Sequence, residues 1–236
     1  MNNSKPEFLS CEQVRCVDRY AIEKIGIDGV VLMENAARGC VDLLLSQSVP
    51  GAVVVVCGPG NNGGDGFAMV RHLMIRNVKA KAVLICEPDR LKGDALRNYE
   101  ILNHIAPLAI EKIDSAPDQI LGQLIEVNGQ SAEWIVDALL GTGTKGEIRD
   151  PFRSVIDLIN IANKKVFAVD IPSGLDGDTG QTLGASIKAD VTATFVAKKN
   201  GFAIDEAKSS LGDLHVLDIG VPEFVVAEAI THGSNN

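Results

Sequence analysis

The sequence has no run of Lys or Arg: 22 basic residues face 31 acidic ones and the formal net charge is −9. A nucleic-acid backbone or an anionic membrane therefore meets no basic footprint. No apolar stretch approaches the roughly 18 residues a membrane-spanning helix needs. Met1 to Gln13 lacks the basic start and apolar centre of a secretion signal. The expectation is a soluble, cytoplasmic protein with neither nucleic acid nor membrane as partner. No C-x-x-C pair occurs among Cys11, Cys16, Cys40, Cys57 and Cys86, and no H-x-x-x-H spacing among His72, His104, His215 and His232. A disulfide framework or a zinc centre needs such clustering, so the cysteines read as reduced core thiols and the histidines as surface or structural residues. Internal repeats, low-complexity tracts and linkers are also missing. Residues 1–236 are expected to form one domain, with a helical preface over about 10–47, an α/β sandwich over about 51–230 and a frayed tail from Thr231 to Asn236.

What is present is an alternation of two periodicities. Ser10-Cys11-Glu12-Gln13 fits a capping box, and Val14, Val17, Ala21 and Ile25 follow at helical spacing until Gly26. A second helix is expected from near Asp28 to Gln47, with Met33, Ala36, Ala37, Cys40, Val41 and Leu44 on one face. Val53 to Cys57 is then a short β-branched run between glycines, the pattern of a strand buried on both faces of a parallel sheet. Similar runs recur at Ala80 to Cys86, Trp134 to Leu140, Val166 to Ile171, Val191 to Val196 and Leu214 to Ile219. Helical patterns lie between the early ones: Phe67 to Arg76, Ala95 to Ile105, Pro117 to Val127, and Phe152 to Asn163 with Asp150 as cap and Pro151 at the first helical position. The order predicts a Rossmann-like three-layer α/β/α sandwich with a mostly parallel sheet and an N-terminal helical pair.

The first strand runs into Gly58-Pro59-Gly60-Asn61-Asn62-Gly63-Gly64-Asp65-Gly66. Gly58, Gly60 and Gly63 satisfy G-x-G-x-x-G, and Glu87 ends the next strand where an acid would hold a ribose hydroxyl. That pattern alone spells a nicotinamide-dependent dehydrogenase. Two features weigh against it: the strand follows two helices, and the loop is crowded with side-chain oxygen. Its amides suit phosphate and an amide oxygen suits a hard cation, whereas Asp65 suits a hydroxyl or a helix cap. Two other strand ends carry similar chemistry. Asp137 precedes Gly141-Thr142-Gly143-Thr144-Lys145-Gly146-Glu147, and Asp170 precedes Pro172-Ser173-Gly174-Leu175-Asp176. An aspartate inside an apolar strand needs a partner, and parallel strands bring their C-terminal ends to one edge. The three segments should share one crevice.

Together Gly58 to Gly66, Val136 to Gly143 and Asp170 to Asp176 closely resemble the YjeF N-terminal domain family, whose enzymes are the NAD(P)H-hydrate epimerases. The resemblance extends to Leu32-Met33-Glu34-Asn35-Ala36, to Asp150-Pro151-Phe152, and to Ala189 through Phe195 with Lys198 and Gly201. It implies binding of C6-hydrated NADH or NADPH, that is NAD(P)HX, and interconversion of its R and S forms. It further implies that Asn61, Asn62, Gly63, Gly64 and Asp65, with Gly141, Thr142, Gly143, Thr144, Lys145, Gly146 and Glu147, bind this substrate. Asp170 would contact the reacting end as general acid and base, with Lys145 as charge partner or second acid. Asn62, Asp137 and Ser173 would hold a potassium ion. The expected functional partner is a separate ADP- or ATP-dependent dehydratase, because the sequence ends soon after the sixth strand; a homodimer stays open. The alternatives to an epimerase are an oxidoreductase using the intact cofactor and a noncatalytic nucleotide- or partner-binding module.

Overall fold

The computed structural model describes residues 6–113 and 117–233. Its centre is a seven-stranded sheet of β1 (Ala52–Cys57), β2 (Lys79–Leu84), β3 (Ile110–Lys112), β4 (Trp134–Ala138), β5 (Lys165–Val169), β6 (Val191–Phe195) and β7 (Asp213–Leu217). The spatial order is β7-β6-β5-β4-β1-β2-β3 and every pairing is parallel. The six expected strands are all present, each ending one or two residues earlier than its apolar run except β1. The seventh, β3, is a three-residue edge strand, too short to show a period in the sequence.

Strand residues alternate strictly between two apolar layers. Val53, Val55 and Cys57 face the layer built from α1 (Cys11–Tyr20), α2 (Gly29–Gln47), α3 (Asn61–Ile75), α4 (Gly93–Ile105) and α7 (Glu223–Gly233). Ala52, Val54 and Val56 face α5 (Pro117–Ile125), α6 (Phe152–Ile161) and the segment around Ile187. Burial on both faces is what makes β1 read as an unbroken apolar run. All five cysteines are free and buried. No helix among the described residues is long and apolar enough to cross a membrane.

The capping box forms as expected: Ser10 Oγ accepts from Gln13 N–H at 3.1 Å and Gln13 Oε1 accepts from Ser10 N–H at 2.8 Å. After α1 the chain continues through one π turn, Ala21–Ile25, and stops at Gly26 with φ +83°. Asp150 does cap α6, its Oδ1 accepting from Ser154 N–H at 3.1 Å, but Pro151 lies just outside the helix, which begins at Phe152. Two expectations need correction. The helix expected from Phe67 begins at Asn61, so Asn61 to Gly66 form its opening turns rather than a loop. Gly64 shows why: a Cβ there would sit 2.7 Å from Met33 Sδ and 2.8 Å from Ala95 Cα, so close packing against α2 and α4 outweighs glycine's poor helix propensity. The tail expected to fray at Thr231 is helical to Gly233, as α7 buries Val225, Val226 and Ala229; residues 234–236 lie outside the described range.

Candidate active site

The chain passes from β1 outward to β3 and then returns to place β4 on the other side of β1. Ligands bind at such a reversal, beyond the C-terminal strand ends. A cleft of about 420 Å³ lies there, walled by Gly60, Asn61, Asn62 and Asp65 of the glycine segment, by Leu139 to Thr144 after β4, and by Asp170 after β5. Arg15 and Asp18 of α1 and Phe195 at the end of β6 complete it. Arg15 Nη1 donates to Thr142 O at 3.2 Å and ties α1 to the loop opposite.

The glycines bring these walls together. A Cβ on Gly58 would lie 1.8 Å from Leu139 O, and one on Gly63 2.0 Å from Gly58 O. Only a bare backbone allows the two strand ends this close. α3 therefore starts directly at the cleft, and no side chain among the described residues caps its first turn. Its leading amides and positive dipole end suit an anion such as a phosphate.

At the reacting end, Asp170 has φ +65°. This left-handed conformation turns the chain out of β5, and Asp170 N–H donates to Ala193 O at 2.7 Å. Its Oδ1 accepts from Lys199 Nζ at 2.6 Å. The Lys199 side chain is 0% exposed, a position a lysine holds only when its charge is met. Asp170 meets it, and Nζ also donates to Thr194 Oγ1 at 2.8 Å and to Phe195 O at 3.2 Å. Two further carboxyls stand nearby. Burial, then the neighbouring Asp170 and Asp18, push Asp65 well above the usual carboxylate range. Burial, then Asp170, push Asp18 up to about 6, against the pull of Lys199.

The second cluster lies beside the cleft. Asp137, fully buried in β4, accepts from Ser173 Oγ at 2.6 Å and Leu139 N–H at 3.2 Å on Oδ1, and from Ser173 N–H at 2.7 Å on Oδ2. Burial raises its carboxyl to about 6 despite these bonds. Ser173 Oγ also accepts from Leu140 N–H at 2.9 Å, and Asn62 Nδ2 donates to Leu140 O at 3.0 Å. That last bond fixes the amide's orientation and leaves Asn62 Oδ1 buried with no hydrogen-bond partner among the described residues. An orphaned amide oxygen near a buried carboxylate suits a hard cation.

The structure thus brings together Asn61, Asn62, Asp65, Gly141, Thr142, Gly143, Thr144 and Asp170 at the cleft, with Asp137 and Ser173 behind them. Gly63, Gly64, Lys145, Gly146 and Glu147 do not form its wall. Gly63 and Gly64 spend their small size on packing within the fold. Lys145 is 61% exposed, with Nζ 3.9 Å from both Asp176 Oδ2 and Asp178 Oδ2; the charge partner of Asp170 is Lys199 instead. Glu147 pairs with Arg153 at 3.4 Å, and Glu87 pairs with Lys112, away from the cleft. Sequence reasoning missed Arg15, Asp18, Thr194 and Lys199. Of the adjacent Lys198 and Lys199, composition could not tell which is buried; the signal was the resemblance around Lys198 and Gly201.

The family model of the YjeF-related protein N-terminus matches residues 29–201. An NAD(P)H-hydrate epimerase of Pirellula staleyi is 40% identical over 214 residues, covering 91% of this chain and 92% of that protein. One of Rhodopirellula baltica is 38% identical, covering 91% and 84%. A bifunctional NAD(P)H-hydrate repair enzyme Nnr of Salinibacter ruber is 38% identical over 95% of this chain, which spans only 42% of that longer protein. The crystal structure of yeast ynu0 shares the fold with a TM-score of 0.71, at 21% identity over 84% of each chain. The chain belongs to the family of the YjeF-related protein N-terminus.

Proposed function

We propose that this protein is an NAD(P)H-hydrate epimerase, interconverting the R and S forms of C6-hydrated NADH and NADPH. The observation that carries the reading is Asp170, ion-paired to a fully buried lysine at the floor of a cleft that also holds an uncapped helix N-terminus. The relatives that match nearly end to end are epimerases of this name. The hydrate is a carbinolamine, so inverting C6 requires a proton to be taken and returned. Asp170 is the group for that exchange. The amides of Asn61 and Asn62 and the loop from Gly141 to Thr144 would hold the dinucleotide, its pyrophosphate on the α3 dipole. Lys145, at the exposed end of the same loop, would exchange its loose contacts with Asp176 and Asp178 for the substrate's negative charge.

Asn62, Asp137 and Ser173 would hold a potassium ion, which the orphaned Asn62 oxygen and the buried Asp137 carboxylate support. Such an ion would supply charge neutralisation beside the cleft. A dehydrogenase is the weaker reading, because Glu87 is engaged by Lys112 and borders no part of the cleft. The reaction would take place in the cytoplasm, with the S form consumed by a separate dehydratase using ADP or ATP. The test mixes R and S hydrate with a purified S-specific dehydratase. Complete consumption of the R form only when this protein is added is the expected result; R hydrate that survives unchanged rejects the assignment.

A further inference from the structure

We propose that Asp18 is a catalytic residue of the epimerisation, the general acid that works opposite Asp170. The proposal rests on the epimerase reading above. A second cavity, of about 110 Å³, shares Asp18, Asn61, Asp65 and Phe195 with the main cleft, and is otherwise walled mainly by apolar side chains such as Leu32 and Met33. Asp18 stands on the partition between the two. Its carboxyl has no hydrogen-bond or ion-pair partner among the described residues, although α1 is held firmly by its capping box and by the Arg15 bond to Thr142. A partly buried carboxyl on the cleft wall with no such partner is available to a bound ligand.

Burial and the surrounding carboxyls keep a proton on it, as a general acid requires. Asp65 and Asp170 share the cleft wall with it, and Asp94 lines the smaller cavity. Lys199 is committed to Asp170, and Arg15 to Glu12 and the Thr142 carbonyl. With its carboxyl raised to about 6, Asp18 lies near the working range of an acid catalyst; the more deeply buried Asp65 is also raised. Asp170 takes the proton of the C6 hydroxyl, whose oxygen becomes an aldehyde carbonyl as the C6–N1 bond breaks. The electron pair of that bond passes to N1, which takes the proton of Asp18. Rotation about C5–C6 exposes the other carbonyl face. N1 then attacks C6 and returns its proton to Asp18, while Asp170 returns its proton to the oxygen, and every atom and charge is restored.

The experiment compares wild type, Asp18→Asn and Asp18→Glu in the dehydratase-coupled assay across pH, alongside thermal protection by the hydrate. Asp18→Asn is expected to lower kcat about a hundredfold, to flatten the alkaline limb of the kcat profile, and to keep thermal protection; Asp18→Glu should regain part of the loss. The fold should survive. A carboxyl whose folded pKa is raised contributes stability at low pH that is lost as pH rises through about 6, so the neutral amide is no less stable at pH 7. Turnover within about threefold of wild type with an unchanged pH profile would overturn the proposal, and so would loss of hydrate protection, which makes Asp18 a binding residue. Failure of the epimerase reading itself looks different: the wild-type protein would leave the R hydrate untouched.

Discussion

Asp170 occupies a backbone conformation that costs an L-residue about 1–2 kcal/mol, and it is held there by two bonds: its N–H to Ala193 O and its carboxylate to Lys199. The strain aims a carboxylate into the cleft that a regular strand residue would point into a packed layer. Asp170→Asn preserves shape and removes the proton-accepting charge. Epimerisation should slow about a hundredfold. The protein should still fold, with a lowered melting temperature, because the buried Lys199 ammonium loses its counter-charge. The coupled assay and thermal unfolding by circular dichroism check the two halves; near-normal turnover would move the base elsewhere. Asp170 was visible in the sequence as a polar residue ending an apolar run. Its partner was not, because burial of Lys199 arises from the turn after β6 and not from any local pattern.

Among the elements, α3 shows most clearly how local signals and packing compete. Six residues rich in glycine and asparagine read as a loop on propensity, yet they form helix because α2 and α4 close on them and the strand ends meet at Gly58. This makes the glycines unequal. Gly58→Ala drives a Cβ to 1.8 Å from the Leu139 carbonyl and should cost about 2–3 kcal/mol, whereas Gly143, with nothing within 4 Å of its Cβ position, should accept alanine within about 0.5 kcal/mol. Urea midpoints of the two variants decide it; equal midpoints would mean that the strand ends are not tightly apposed. α1 and its cap were legible because the capping box is a four-residue signal. β3 and α7 were not, since a three-residue edge strand and a helix defined by contact with α1 carry little pattern of their own.

For the molecule as a whole, the uniform parallel direction of the sheet collects Asn62, Asp137 and Ser173, which come from the C-terminal ends of three different strands, around the Leu140 backbone. If potassium binds there, it binds the folded state alone and stabilises it by mass action. Wild-type protein should then melt higher in potassium chloride than in sodium or choline chloride at matched ionic strength. Asp137→Ala should melt lower in all three and lose the potassium increment. Identical wild-type melting temperatures in the three salts would remove the support for a cation.

The order of the six longer strands and of the helices before α7, the two-sided burial of the sheet and the convergence of three chemical segments on one edge were readable from the chain, because periodicity, capping and strand direction are short-range properties. Asp137 and Asp170 could be singled out for the same reason: a carboxylate in an apolar run is a local anomaly. The identity of each partner was settled by packing. Which lysine is buried against Asp170, which glycines serve close approach rather than a ligand, and that Asp18 reaches the cleft from a helix far away in sequence all depend on how layers dock. Docking balances burial, backbone clearance and charge over the whole sheet, and no window of sequence contains those terms.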